Sequence, residues 1–254
     1  MDNAIYVGLS KQILLQRELD IAANNLANMN TTGFKVEELM STPYPATPAG
    51  MPPSTPPIQF VADDGVARDF SQGALQPTGA PLDLAIQGQG FFQVQTANGL
   101  RFTRDGRFAT NAQGQLVTQA GDNVLDTAGS PITLNPQGGP PQIGGDGTIT
   151  QTVAGQSQSQ TIGRVGVVNF TNLAGLSKDG AGLFSNPSGE TPQAVTGQVL
   201  RQGALEASNV QPIAQVTDLI RVSRAYDMMA QMMNSTASLS QTAVQRLGAA
   251  TTPQ

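Results

Sequence analysis

Asn209 to Leu247 reads NVQPIAQVTDLIRVSRAYDMMAQMMNSTASLSQTAVQRL, and its spacing decides the fold. Val216, Leu219, Ser223, Tyr226, Ala230, Met233, Ala237, Ser240, Val244 and Leu247 follow one another in alternating steps of three and four residues, which is the rhythm of a heptad seam. A helix of about 35 residues is roughly 50 Å long, more than one small domain can cover, so it needs a partner along its length. At the opposite end of the sequence Leu15, Leu19, Ala22, Leu26 and Met29 repeat the rhythm in steps of four, three, four and three. The two ends are therefore expected to pair. Ser208 or Asn209 is placed to cap the final helix, with Pro212 in its first turn, where a missing N–H costs little.

The first helix is expected from about Ala4 to Met29, with Ile5, Leu9, Ile13, Leu19, Ala23 and Leu26 on a broad apolar side. Thr31 and Thr32 are poor helix interiors, Gly33 suits a left-handed stop, and Phe34 is placed for the hydrophobic contact that often follows one. Asn24, Asn25, Asn28 and Asn30 crowd its last turns, although short amides lower helix propensity. Two readings stand side by side: a solvated face, or amides that hydrogen bond across packed helices and fix their register.

Between the helices the texture changes twice. Ser41 to Pro57 carries prolines at 43, 45, 48, 52, 53, 56 and 57, a density that predicts an extended, polyproline-like arm. From Leu82 to about Arg201 the apolar period becomes two, interrupted by Asn98-Gly99, Asp105-Gly106, Gln113-Gly114, Gly121-Asp122-Asn123 and Asp146-Gly147. These turns predict an antiparallel meander, with Thr148 to Val153, Arg164 to Phe170 and Val195 to Leu200 as later strands. The expected class is α+β: terminal helices pairing as a coiled-coil-like domain built from residues 1–35 and 205–250, an arm over 41–60, and an antiparallel all-β domain over 61–204.

Composition excludes several kinds of chemistry. Charged residues make up 12% and aromatics 5% of the chain, and a net charge of −5 leaves no basic surface for phosphates, so neither nucleic acid nor an anionic membrane is an expected partner. With no cysteine and no histidine, disulfides, thiolate or imidazole metal sites and the usual near-neutral general base are absent. No apolar run reaches the roughly 18 residues of a spanning helix. The opening Met1-Asp2-Asn3-Ala4 has no basic or apolar leader pattern, which by ordinary rules predicts a cytoplasmic chain without direct membrane insertion.

Motifs for catalysis are also missing. Gly88-Gln89-Gly90 runs into Phe91-Phe92 without the third glycine of a dinucleotide fingerprint, and reads as a turn between strands. Glu37-Glu38 and Asp63-Asp64 are sequence neighbours, which point apart on a strand and diverge on a helix, so they do not make a carboxylate pair facing one substrate. Met228, Met229, Met232 and Met233 lack His or Cys companions and read as adaptable packing, with Met233 on the seam itself. No catalytic, metal or cofactor site is expected.

Four stretches carry a resemblance. Ala22-Ala23-Asn24-Asn25-Leu26-Ala27-Asn28 running into Thr31-Thr32-Gly33-Phe34-Lys35 resembles the opening signature of bacterial flagellar rod and hook proteins. Leu82 to Phe92, with Phe102-Thr103-Arg104-Asp105-Gly106-Arg107-Phe108, is similar to their shared β-domain motif, and Gln202 to Val210 with Arg224-Ala225-Tyr226 resembles the entry and body of their terminal helix. Both extremities look most like the proximal-rod members; a distal-rod subunit is the alternative within the family, and a hook subunit would need an outer domain that this length cannot hold. The proline arm matches no family pattern.

The resemblance implies a non-enzymatic rod subunit, exported through the flagellar type III apparatus without a cleaved signal and located in the rod across the periplasm. It further implies an axial arrangement in which the terminal helices polymerise with copies of the chain and with other proximal and distal rod proteins, transmitting torque. The expected assembly surface comprises Leu15, Leu19, Ala22, Asn24, Asn25, Leu26, Asn28, Met29, Gly33 and Phe34, together with Asn209, Arg224 and the seam residues of the last helix. A rival of another class is a secreted β-rich binding protein or glycan-acting enzyme whose helices merely dimerise.

Overall fold

The structure is a computed structural model that describes residues 2–46, 58–152, 158–197 and 199–249. It is α+β, with a helix near each end and an antiparallel β-rich region between them. The chain divides into two compact units. The first gathers the described residues of Met1–Ala27, Glu37–Arg68 and Gln211–Gln254; the second gathers Asn28–Val36 and Asp69–Val210.

The first unit contains helix α1 (Asp2–Ala27), strands β1 (Glu37–Ala46) and β2 (Ile58–Arg68), and helix α2 (Pro212–Ala249). A Cβ on Gly8 would lie 3.1 Å from Met233 Cγ, Arg221 Nη2 donates to Glu18 Oε1 at 2.8 Å, and Asn25 Nδ2 donates to Gln215 Oε1 at 3.1 Å. As residue numbers rise along α1 they fall along α2, so the helices pack antiparallel. Leu14, Leu15, Ala22 and Val222 supply the buried apolar centre.

β1 and β2 form a two-stranded antiparallel ribbon with an irregularity between Met40 and Ser41, where Gly65 takes a φ of 106°. Ser41 to Ala46, expected in an arm, is thus one edge of a ladder. Proline is compatible with that place because a two-stranded ribbon has only edges. Residues 47–57, the rest of the proline-rich segment, lie outside the described residues.

The second unit is assembled from short strands. In chain order the first of them are β3 (Leu75–Pro77), β4 (Leu84–Ile86), β5 (Phe91–Thr96), β6 (Gly99–Thr103), β7 (Phe108–Thr110), β8 (Leu116–Thr118), β9 (Asn123–Val124) and β10 (Gln142–Ile143). Then come β11 (Thr148–Thr152), β12 (Ser159–Arg164), β13 (Val167–Asn169), β14 (Ser177–Lys178), β15 (Leu183–Ser185), β16 (Gln193–Ala194), β17 (Leu200–Gln202) and β18 (Ala204–Glu206). The largest sheet runs β14-β15-β6-β5-β9-β8-β7, with β13 on β5 and β16 on β13. Late strands close early ones: β17 pairs with β4 and β18 with β3.

Two cores form beneath these strands. One gathers Leu84, Ile86, Phe92, Val94 and Ile149 with their neighbours; the other stacks Phe91, Phe102, Phe170 and Phe184 edge to face, an arrangement worth more than its buried area alone. The strand expected over Val195 to Leu200 does not form as such: β16 ends at Ala194, residues 195–197 and 199 lie between strands, and Leu200 opens β17.

Both helix ends differ from the sequence expectation. α1 stops at Ala27, so Gly33 is not its cap. Gly33 has a φ of 67° and lies so close to the 104–105 backbone that a Cβ would approach the Arg104 carbonyl carbon to 2.6 Å, while its N–H donates to Glu206 O at 2.8 Å. Any side chain there meets both strain and backbone. Gly33→Ala is accordingly expected to destabilise the second unit by more than about 1 kcal/mol, measured by urea unfolding of the full chain; an unchanged midpoint would contradict this reading of the loop.

At the other end Asn209 does not cap α2, which begins at Pro212 with Gln215 N–H donating to Gln211 O. Asn209 instead works inside the second unit. Its Oδ1 accepts from Val36 N at 2.8 Å, and its Nδ2 donates to Asp69 O at 2.8 Å.

Candidate assembly surface

The residues expected to assemble fall into both units. In the first, Leu15, Ala22 and Asn25 are buried, Leu19 and Leu26 half-buried, and Asn24 exposed. In the second, Phe34 is buried with the Lys178 ammonium 4.7 Å from its ring centre, Gly33 is buried, Asn28 and Asn209 are half-buried, and Met29 is exposed.

Along α2, Leu219, Ser223, Tyr226, Ala230, Met233 and Ser240 are half-buried, whereas Val216, Arg224 and Ala237 are exposed. The side chains of Val244 and Leu247 lie outside the described residues. The inward stripe contains Gln215, Leu219, Val222, Tyr226, Met229 and Met233, still in steps of four and three. Its every-seventh members coincide with the sequence seam, but the alternate positions sit one residue earlier. Val222 is 0% exposed and Val216 is 42% exposed, so within the chain Val222 and Met229 face inward where the spacing had Ser223 and Ala230. The signal was present: Val222 and Met229 are the larger apolar members of each neighbouring pair.

Asn25 settles what one of the crowded amides does. It is 1% exposed; its Nδ2 donates to Glu37 O at 2.8 Å and its Oδ1 accepts from Glu37 N at 3.0 Å. The side chain thereby imitates a strand neighbour and ties the start of β1 to α1. Buried amides of this kind fix register because each unpaired group is costly to leave unsatisfied. Asn24 and Asn30, by contrast, are exposed.

On the same unit, α1, β1, β2 and α2 enclose an open groove of about 820 Å³, with Leu9, Ile13, Ile21, Val66 and Tyr226 among its lining. Leu9 and Ile13 are exposed there. On α2, Val216, Ile220, Met228 and Met232 are exposed as well. Exposed apolar side chains aligned on an element mark an interaction surface more than isolated ones do.

The second unit carries a buried ionic cluster that the sequence reading missed. Glu206 Oε1 accepts from Lys35 Nζ at 2.6 Å and Gly73 N at 2.9 Å, and Oε2 accepts from Arg104 Nη1 at 3.0 Å. Lys35 also donates to Ser71 O at 2.6 Å, and Arg104 Nη2 to Gly88 O at 2.8 Å. Burial pushes the Lys35 ammonium below its ordinary range, with Glu206 opposing that shift, and the Arg104 guanidinium is lowered for the same reason against the same opposition. Lys35, Arg104 and Glu206 each belong to one of the stretches that carry the resemblance. Val36 and Asp69, bonded to each other through Asp69 N–H and Val36 O at 3.0 Å, are the residues at which the chain passes into and out of the ribbon. The cluster and Asn209 therefore tie residues 35–36 to 69–73 and to 206–209 within the second unit.

Comparison with known proteins gives a consistent picture. Residues 5–35 match the family described as flagella basal body rod protein. Residues 85–170 match the flagellar hook protein FlgE/F/G D1 domain, and residues 201–246 the flagellar basal body rod FlgEFG protein C-terminal region. The flagellar basal-body rod protein FlgF of Caulobacter vibrioides is 52% identical over 98% of this chain and 99% of its own length. FlgF of Mesorhizobium japonicum is 36% identical over 98% of this chain and 99% of its own. FlgG of Buchnera aphidicola subsp. Schizaphis graminum is 34% identical over 87% of this chain and 90% of its own.

Proposed function

We infer the role of this chain from its family: it belongs to the flagellar basal-body rod proteins. It is a structural subunit of the flagellar basal body, of the proximal rod, and not an enzyme. As a member of that family it assembles with other rod subunits and with copies of itself. The observation that carries the proximal-rod assignment is similarity to FlgF along the whole chain, including both terminal helices.

We propose that the helical unit is the axial, coiled-coil-like part of the subunit. The four-and-three stripe of α2 supports this reading, as does the exposed apolar surface left on both helices. Stiffness against torque then comes from many small packing contacts summed over subunits. Export through the flagellar type III apparatus, with α1 retained, and a final place across the periplasm complete the proposal. Retention of α1 is supported by its contribution of Leu14, Leu15 and Ala22 to the interior. Among the described residues no helix is long and apolar enough to cross a membrane.

Deleting residues 2–27 removes α1 while leaving Lys35 and the rest of the second unit in place. The truncated chain is expected to be absent from basal bodies and to leave a strain lacking the full chain non-motile. A binding protein or glycan-acting enzyme with dimerising helices would keep its activity after the same deletion. Restored swimming in the truncated strain would overturn the axial assignment.

A further inference from the structure

We infer that the outer ridge of α2 in one copy docks into the groove beside α1 in a second copy, with Arg224 of the first meeting Asp20 of the second. The inference deepens the rod-subunit reading and rests on it. Val216, Ile220, Arg224, Met228 and Met232 are spaced four apart and all exposed, which makes them one continuous i, i+4 ridge of the kind that interlocks with the surface of another helix. Ile220 and Arg224 stand two positions either side of the buried Val222, so at about 100° per residue they point away from α1 of their own chain. They cannot reach their own groove.

Charge selects the occupant. Arg224 makes no ion pair or hydrogen bond among the described residues, and it interrupts an otherwise apolar ridge. Asp20 lines the groove, and among the described residues its exposed carboxylate accepts one hydrogen bond, from Gln16 Nε2 at 3.3 Å. Arg17, the nearby groove cation, already holds Asp63. A ridge with one cation amid four apolar side chains thus complements an apolar groove with one available anion. Ridge and groove are different patches of one unit, so each copy carries both halves of the contact and the same pairing can repeat from copy to copy.

The test is charge reversal in the full chain, read as the amount of chain recovered in isolated basal bodies. Arg224→Glu and Asp20→Arg are each expected to lower it at least about tenfold, since like charges then face one another, and the double variant should return to within about threefold of wild type. Both side chains are exposed, so helicity by circular dichroism should not change. Should either variant lose helicity, chains carrying Ile13→Cys and Met232→Cys, expressed together, decide the matter, because the sequence has no cysteine of its own. A disulfide-linked pair formed only when both chains are present supports the docking; its absence overturns it. Undiminished single variants, or a double variant no better than the worse single, overturn the pairing of these two surfaces while wild-type incorporation keeps the rod reading. Absence of the wild-type chain from basal bodies would instead remove that reading and the docking with it.

Discussion

Glu206→Gln is expected to destabilise the second unit by about 3–5 kcal/mol, a large part of the roughly 5–15 kcal/mol that typically separates folded from unfolded domains. The wild-type carboxylate accepts from Lys35, Gly73 and Arg104 while it, Lys35 and Arg104 are each at most 3% exposed. An amide has one acceptor oxygen and a donating nitrogen, so it can serve only part of that set. Two buried cations would then share no anion, and the uncompensated charge is what makes such a change costly. Replacing all three groups together, as Lys35→Met, Arg104→Met and Glu206→Leu, is expected to be much milder, because an apolar set of similar size avoids the desolvation penalty. Urea unfolding followed by near-ultraviolet circular dichroism distinguishes the cases. A loss below about 1 kcal/mol for Glu206→Gln would mean that the cluster does not hold the second unit together.

Val222→Asp is expected to have the second large effect, this time on the first unit and on assembly. Val222 is the most deeply buried of the described side chains of α2, and a carboxylate there would have to be buried unpaired, protonated, or exposed by parting the helices. Helical signal at 222 nm should fall and incorporation into the rod should be lost, while unfolding of the second unit stays at its wild-type midpoint. Leu219→Asp and Leu26→Asp are expected to act in the same direction, since both are half-buried apolar positions on the helices. Ala237→Asp is the informative contrast. Ala237 is exposed in the isolated chain, so its replacement should leave the monomer's helicity unchanged and reduce incorporation only if the seam also meets a neighbouring subunit. Normal swimming by the Val222→Asp strain would contradict the helical unit's role in assembly.

The sequence disclosed the helical parts because amphipathic periodicity is a local signal. Leu219, Tyr226 and Met233 were found through it; turn chemistry, another local signal, pointed with Asn98-Gly99 to the hairpin of β5 and β6, whose turn lies at Ala97-Asn98 with Gly99 opening β6. The alternate seam positions went to Ser223 and Ala230 instead of Val222 and Met229 because a four-and-three rhythm can be drawn along two adjacent edges of one helix. Only side-chain size separates them. Helix ends were displaced for a different reason: Gly33 and Asn209 have the residue types of caps, yet tertiary partners occupy them, the 104–105 backbone for one and Val36 and Asp69 for the other.

The ionic cluster was invisible in the sequence. Lys35 and Glu206 lie 171 residues apart, and nothing in the spacing of either announces the other. Asn25 stands between these extremes. Its unfavourable helix propensity signalled a role, but only the position of Glu37 shows that the amide completes a strand edge.

Whether this chain is built into the rod is read directly from its abundance in purified basal bodies by quantitative mass spectrometry. Preparations from a wild-type strain and from one carrying Leu219→Asp as its sole copy should be compared. The wild-type chain is expected at a fixed ratio to the other rod proteins, with peptides from α1 present, and no Leu219→Asp chain above background. Wild-type basal bodies without the chain, or variant chain at wild-type abundance, would contradict it.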